Sequence, residues 1–124
     1  MATLDLDTNP SKYQIRGYRP GWIKINDQIF THSLILTPNE LYTDWQGQTI
    51  ETISAQSFSI LQTYHPDILL IGTGSRLIFI SGNIYTDLVN QGMGVEIMDT
   101  RSACYTFNAL ASENRRVAAA LILD

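Results

Sequence analysis

The first third of the chain contains two short segments whose apolar residues are typical of β-strands. Trp22–Ile25 and residues 28–36 fit strands, and the pair Asn26-Asp27 between them tolerates the positive φ of a tight turn. This pattern predicts an N-terminal β-hairpin. A shorter strand is predicted at 41–45, where Gly47 would end it.

From residue 55 onward, strand-like and helix-like periods alternate. Helical spacing predicts helices at residues 55–64, 83–91 and 100–112, the last capped by Asp99 or Thr100. Apolar runs predict strands at residues 67–71, 94–98 and 117–123, and residues 77–80 fit a strand or the approach to a helix. Strand–helix–strand order implies crossover connections and a largely parallel core. We therefore expect an α/β domain with a mixed, partly parallel sheet, although the direction of the last strand is not fixed by the pattern.

Composition fits one globular domain. The chain has 124 residues, 44% hydrophobic and 16% charged, which is enough apolar content for a core and too little charge for disorder. We expect a flexible tail at residues 1–14 and a single domain at 15–124. Basic residues are scattered and the net charge is −4, so we expect no nucleic-acid partner.

The sequence also bears on location. No apolar run is long enough to span a bilayer, and the first ten residues contain Asp5 and Asp7 without a basic residue, unlike a signal peptide or presequence. Cys104 is the single cysteine, which excludes an internal disulfide and fits a reducing compartment. We therefore expect a soluble, cytoplasmic protein.

Two segments that follow predicted strands are candidate ligand sites. Gly72, Thr73 and Gly74 follow a buried strand, but Leu77 stands where a dinucleotide fingerprint needs its third glycine, and the Walker lysine is absent. We favour a tight turn. Asp99 and Thr100 begin a helix, where an anion could bind, but the Asp99 carboxylate would repel a phosphate.

No catalytic or metal-binding constellation stands out. Cys104 falls on the predicted core face of its helix, where apolar surroundings raise the pKa of a thiol and make it inert. His32 and His65 lack the spacing of metal ligands, and no serine elbow completes a triad. We therefore expect no catalytic residue, no metal and no cofactor.

Glu96 is the one charged residue in a predicted apolar strand, between Val95 and Ile97. If that strand is central, the carboxylate is buried and needs a partner such as Arg101, Arg115 or Arg116. A structural ion pair is then favoured over a general base, and its pKa is worth checking.

Several stretches resemble one known family. They are Pro66 to Gly74, Gly92 to Thr100, Ala103-Cys104 with Thr106 and Asn108, and Glu113 to Leu121, together with Gly17-Tyr18 and the hairpin. They are similar to a domain-of-unknown-function family that includes a mitochondrial respiratory complex I assembly factor and adipogenesis-associated Mth-type domain proteins. The resemblance covers roughly residues 15–124.

The resemblance implies a compact three-layer α/β fold and action through protein contacts, without an established enzymatic activity. Asn114 stands where the family usually has glycine, and asparagine is the second choice for a left-handed helix end. Tyr105 replaces a common arginine, which puts any arginine-dependent contact there in doubt.

Two functions from different classes follow. The first is a non-catalytic protein-interaction domain similar to an assembly factor, whose partner is another protein, with homo-oligomerisation left open. The alternative is a small-ligand binder or enzyme with its site in the strand-end loops, because open α/β sheets bind ligands there. That site would gather Gly72, Thr73, Gly74, Asp99 and Thr100.

Overall fold

Two β-sheets and two α-helices make up the fold in the computed structural model, which describes residues 11–45 and 49–124. The strands are β1 (Ile15–Arg19), β2 (Trp22–Ile25), β3 (Gln28–Phe30), β4 (Leu34–Leu36), β5 (Leu41–Tyr42), β6 (Ile68–Gly72), β7 (Gly94–Met98) and β8 (Val117–Leu121). The helices are α1 (Gly82–Asn90) and α2 (Thr100–Ser112), and Ala55–Leu61 forms a 3₁₀ helix.

The larger sheet is mixed and has five strands in the order β5-β4-β8-β6-β7. β6 is parallel to both of its neighbours, and β8 is antiparallel to β4. Helices α1 and α2 connect β6 to β7 and β7 to β8, and they pack on opposite faces of the sheet. The predicted α/β fold with crossover connections is confirmed, and the last strand runs parallel to β6.

The core lies on both faces of the central strands. Every residue of β8 is buried, and its three alanines let helices approach both faces closely. In β6 the side chains alternate, so that Leu70 contributes to the face under α2 and Leu69 and Ile71 to the face under α1. An unbroken apolar run is therefore what this position in the sheet requires.

The predicted hairpin is present but part of it was assigned wrongly. β2 and β3 pair antiparallel around Asn26, whose φ is 52°, and β1 adds a third strand to this smaller sheet. Residues 28–36 are not one strand, because the chain breaks at 31–33 and β4 leaves to pair with β8 in the other sheet. Ser33 is buried at this break and its hydroxyl accepts a hydrogen bond from the Leu123 amide.

Other boundaries differ from the predictions for local reasons. The first helix is a short 3₁₀ segment that ends before His65, which has a φ of 54° ahead of Pro66. Residues 77–80 form neither a strand nor a helix, and Phe79 is 83% exposed. β8 stops at Leu121, two residues before the predicted end.

Two helix ends behave as expected. Gly92 follows α1 with a φ of 94°, and Asn114 follows α2 with a φ of 61°, so the asparagine does adopt the left-handed conformation.

Two predictions concern segments at the limits of the described structure. The predicted strand at 41–45 is reduced to β5, and the prediction for Gly47 lies outside the described residues, as do residues 1–10 of the predicted tail. The amides of Lys12 and Tyr13 both donate to the Pro38 carbonyl oxygen, at 2.8 and 3.1 Å. Hydrogen bonds to the rest of the fold therefore begin before residue 15.

Candidate functional site

The two strand-end segments meet, because β6 and β7 are adjacent and parallel. The Thr73 amide donates to the Met98 carbonyl oxygen at 2.9 Å, and the Thr100 amide donates to the Gly74 carbonyl oxygen at 2.9 Å. The Gly74 amide in turn donates to Thr100 Oγ1 at 2.8 Å. The residues of the predicted site are thus neighbours, and they are bonded to one another.

Thr100 joins three segments of chain through one buried hydroxyl. Its side chain is fully buried, and Oγ1 donates to the Ile122 carbonyl oxygen at 2.8 Å while accepting from Gly74. The hydroxyl proton is therefore committed within the fold and is not free for a ligand.

Thr73 is also bonded inward. Its side chain is 2% exposed, Oγ1 donates to the Arg76 carbonyl oxygen at 2.7 Å, and it accepts from the Ile78 amide at 3.0 Å. These two bonds shape the turn that leads out of β6. The hydroxyl that a strand-end ligand would use is occupied by backbone groups of the same loop.

Asp99 is the N-cap of α2, which settles the choice between Asp99 and Thr100. Its carboxylate accepts from the Ser102 amide at 2.9 Å and from the Ser102 hydroxyl at 2.9 Å. The hydrogen bond from the Ser102 amide is the main reason that the pKa of Asp99 lies below its ordinary value. The carboxylate thus carries its negative charge at the positive end of the helix.

A second carboxylate at this edge was missed by sequence reasoning. Both oxygens of Asp124 accept from the Ser75 amide at 3.1 Å, and Oδ2 also accepts from the Ser75 hydroxyl at 3.0 Å. The amide hydrogen bond lowers the pKa of Asp124. No short-range pattern relates residues this far apart in the chain, so the sequence offered no signal for it.

The glycines of this edge serve close packing between segments. Gly74 has a φ of 106°, and a Cβ atom there would come within 2.7 Å of Asp124 Oδ2. A Cβ on Gly72 would lie 2.9 Å from the Thr100 Cα atom. A side chain at either position would clash with a neighbouring segment of the chain, which is why the predicted tight turn needs glycine there.

Cys104 lies on the core face of α2, where it is 4% exposed. Burial raises the pKa of its thiol to about 12, so the thiol is neutral near pH 7. It borders a cavity of about 100 Å³ between β1 and α2, which Tyr18, Arg101 and Asn108 also line. The buried Tyr18 hydroxyl has no hydrogen-bond partner among the described residues.

Glu96 is not the buried charge that the sequence suggested. β7 is the edge strand of the sheet and the Glu96 side chain is exposed, so the carboxylate does not need an ion-pair partner. The mistake came from the apolar neighbours Val95 and Ile97, which face the core while Glu96 points to the opposite face.

The histidines do not form part of a reactive cluster. His32 Nδ1 lies 3.1 Å from the Ser33 carbonyl oxygen, and His65 borders an open groove of about 330 Å³ next to Met93. Residues 11–45 and 49–124 contain no group of three or more potential metal ligands.

The sequence model of one protein family matches residues 15–122 of this chain, and this match shows to which family the chain belongs. The chain belongs to the DUF498/DUF598 family of proteins of unknown function. The resemblance inferred from the sequence is thereby confirmed.

Two relatives of this chain carry names that imply different roles. Over 111 residues, the chain is 36% identical to NADH dehydrogenase (ubiquinone) 1 alpha subcomplex assembly factor 3 of Danio rerio, covering 87% of this chain and 63% of that protein. It is 28% identical over 124 residues to a 13 kDa major membrane protein of Francisella tularensis, covering 98% of this chain and all of that protein. The chain therefore spans less than two thirds of the assembly factor that it matches.

A solved structure supports the fold. The solution structure of a Mth938-like domain from Bordetella pertussis superposes with a TM-score of 0.79 at 28% identity, covering 97% of this chain and 92% of that one. Among the described residues, no helix is long and apolar enough to cross a membrane.

Proposed function

We propose that this chain is a non-catalytic protein-interaction domain that acts in the assembly of a multisubunit complex. A relative named as an assembly factor of NADH dehydrogenase supports this role. Because the chain covers 63% of that protein's length, the partner of this chain is a separate question, and we propose only that it is a protein.

The observation that carries the proposal is that the threonine hydroxyls at the strand-end edge are already hydrogen-bonded within the fold. In open α/β sheets this edge is where small ligands bind. Here the hydroxyls of Thr73 and Thr100 are buried and bonded to backbone groups of the same fold. A ligand at this position would have to replace these internal bonds.

Charge at the same edge also weighs against an anionic ligand. The carboxylates of Asp99 and Asp124 both have a lowered pKa and are ionised near neutral pH. Asp99 is bonded to Ser102 in its own helix and Asp124 to Ser75 in the loop after β6, and both carboxylates would repel a phosphate or carboxylate ligand.

The source organism offers a direct test of the assembly role. A tagged copy expressed from its own locus would be followed on native gels through the maturation of the organism's respiratory complexes. We expect the chain to migrate with incomplete complexes and to be absent from the mature ones. Migration on its own at every stage would contradict the proposal.

The small-ligand alternative has a separate test in Thr73→Val. If the strand-end loops bind a ligand, a folded Thr73→Val protein should lose a small molecule that co-purifies with wild type. If they do not, protein partners and small-molecule content should both be unchanged, and that is the result we propose.

The location of the chain in the cell is part of the proposal. We propose a cytoplasmic location, which fractionation of cells tests directly. The test is needed because the Francisella relative is named as a membrane protein. Recovery of the chain in the membrane fraction after a high-salt wash would contradict it.

A further inference from the structure

Strand β7 has one edge with unpaired backbone groups. The Gly94 amide donates to the Asp67 carbonyl oxygen at 2.8 Å, and the Met98 carbonyl oxygen accepts from the Thr73 amide at 2.9 Å. In a parallel ladder, alternate residues turn both backbone groups to the same neighbour, so Gly94, Glu96 and Met98 face β6.

The intervening residues, Val95 and Ile97, therefore turn their amides and carbonyls away from the sheet. Within the described residues, none of these four groups takes part in a hydrogen bond. The edge thus presents two donors and two acceptors at the spacing that a further strand would match.

Helix α1 places apolar side chains above this edge. α1 packs over β7 with Ile84 and Leu88 directed to the core. In a right-handed crossover, the helix residue that directly follows a core-facing residue points toward the second of the two connected strands. Because that strand is β7 and β7 lies at the edge of the sheet, such residues lie on the side of α1 that faces away from β6. Those residues are Tyr85 and Val89, one turn apart and 43% and 41% exposed.

The opposite face of the same edge carries a negative charge. Glu96 is exposed in the middle of β7, because α2 packs mainly against β6 and β8 on that face. A strand added beside β7 would therefore have apolar side chains on one face and a carboxylate on the other.

We propose that the outer edge of β7 receives an extended segment of a partner protein, which adds a sixth strand to the sheet. This inference rests on the proposed protein-interaction function and names the partner's chemistry. In the added strand, the residue opposite Glu96 has its side chain on the same face of the sheet as Glu96. The residues before and after it have their side chains on the other face, under Tyr85 and Val89. The segment recognised is therefore an apolar residue, then lysine or arginine, then a second apolar residue.

A second copy of the chain fits this edge poorly. Two β7 strands paired antiparallel about their centres would bring Glu96 opposite Glu96, and like charges directly opposite each other destabilise a strand pair. The net charge of −4 adds to the repulsion between copies. The same charges favour a segment that carries a cation.

Selection of random short peptides displayed on phage, with the full chain as bait, tests the proposal. We expect enrichment of the apolar–basic–apolar pattern. With Glu96→Lys as bait, the enriched central residue should become Asp or Glu. A basic peptide from the first selection should bind Glu96→Lys roughly two- to tenfold more weakly.

A matched pair of variants separates backbone pairing from side-chain contact. Ile97→Pro removes an amide that the fold does not use, whereas Ile97→Ala removes the same side chain and keeps the amide. The peptide should bind Ile97→Ala nearly as well as wild type and Ile97→Pro at least roughly tenfold more weakly. If Ile97→Pro does not fold, the same peptide methylated at its backbone amides replaces that variant and should fail to bind.

Three results would overturn the inference. They are enrichment without the basic residue, equal binding to Ile97→Pro and Ile97→Ala, and a wild-type dimer that Glu96→Lys or Ile97→Pro abolishes. If the chain still migrates with incomplete complexes when it carries Ile97→Pro, the edge is wrong while the proposed function stands. If even wild type never joins a complex, the function itself fails.

Discussion

The hydroxyl of Thr100 donates a 2.8 Å hydrogen bond to the carbonyl oxygen of Ile122 and so ties the start of α2 to the chain just beyond β8. Because the same oxygen accepts from Gly74, the end of β6 is held at the same point. Thr100→Val keeps the shape of the side chain but leaves two buried backbone groups without partners. We expect a loss of about 2–4 kcal/mol in the free energy of unfolding, measured by urea denaturation.

Thr106→Val is the control for that experiment. Thr106 Oγ1 donates to the Ser102 carbonyl oxygen within α2, a bond inside one helix that joins no distant segments. It should cost less than about 1 kcal/mol. Equal losses for the two variants would mean that Thr100 does not tie the segments together.

Asp99→Ala should lower the free energy of unfolding by about 0.5–2 kcal/mol, because it removes the N-cap of α2. Asp99→Asn keeps a capping oxygen and should cost less. If capping were the only role of either residue, Thr100→Ala would cost less than Asp99→Ala. The buried bonds of Thr100 reverse that order, which the same denaturation series checks.

The pH dependence of stability tests the charge on Asp99. Its pKa is below the ordinary value of 3.8 in the folded protein, so the folded state favours the ionised form. The stabilisation is therefore fully present above the unfolded pKa and is lost as pH falls through the folded pKa. The difference between wild type and Asp99→Ala should be constant near neutral pH and shrink below about pH 4. A difference that grows on acidification would contradict the assignment.

Cys104→Ala should cost about 1–2 kcal/mol and leave partner binding unchanged, because it leaves a small cavity in the core. With a thiol pKa of about 12 and little exposure, the native protein should react with a bulky thiol reagent far more slowly than the unfolded protein. Equally fast labelling of the two states would show that the thiol is accessible.

Three glycines distinguish crowding from backbone strain. Gly72→Ala would place Cβ 2.9 Å from the Thr100 Cα atom and should be the most destabilising. Gly92→Ala meets nothing within 4 Å but has a φ of 94°, and should cost about 1–2 kcal/mol. Gly82→Ala in α1 has neither problem and should be neutral or slightly stabilising. Thermal melts of the three variants should follow that order.

Local patterns predicted the fold well where a single segment determines its own structure. The apolar run of β6 and the Asp99 cap depend on neighbours within a few residues, and the left-handed Asn114 was implied by the family resemblance. The break at 31–33 was missed because it follows from the pairing of β4 with β8, which is distant in sequence.

The candidate site was predicted only in part for the same reason. Sequence order placed the loops at 72–74 and 99–100 together, but it could not show that the Thr73 hydroxyl points inward to Arg76 and Ile78. The sequence predicts a buried Glu96 only if its strand is central, and the local pattern does not show that β7 is an edge strand. The bond between Asp124 and Ser75 has no local signal at all.

Native mass spectrometry of the tagged chain, isolated gently from its source organism, tests the central claim most directly. The account predicts that the chain is found with a protein partner in a fixed ratio, and that Thr73→Val leaves this complex unchanged. A chain that carries a small molecule in place of a protein, and that loses it in Thr73→Val, would contradict the account.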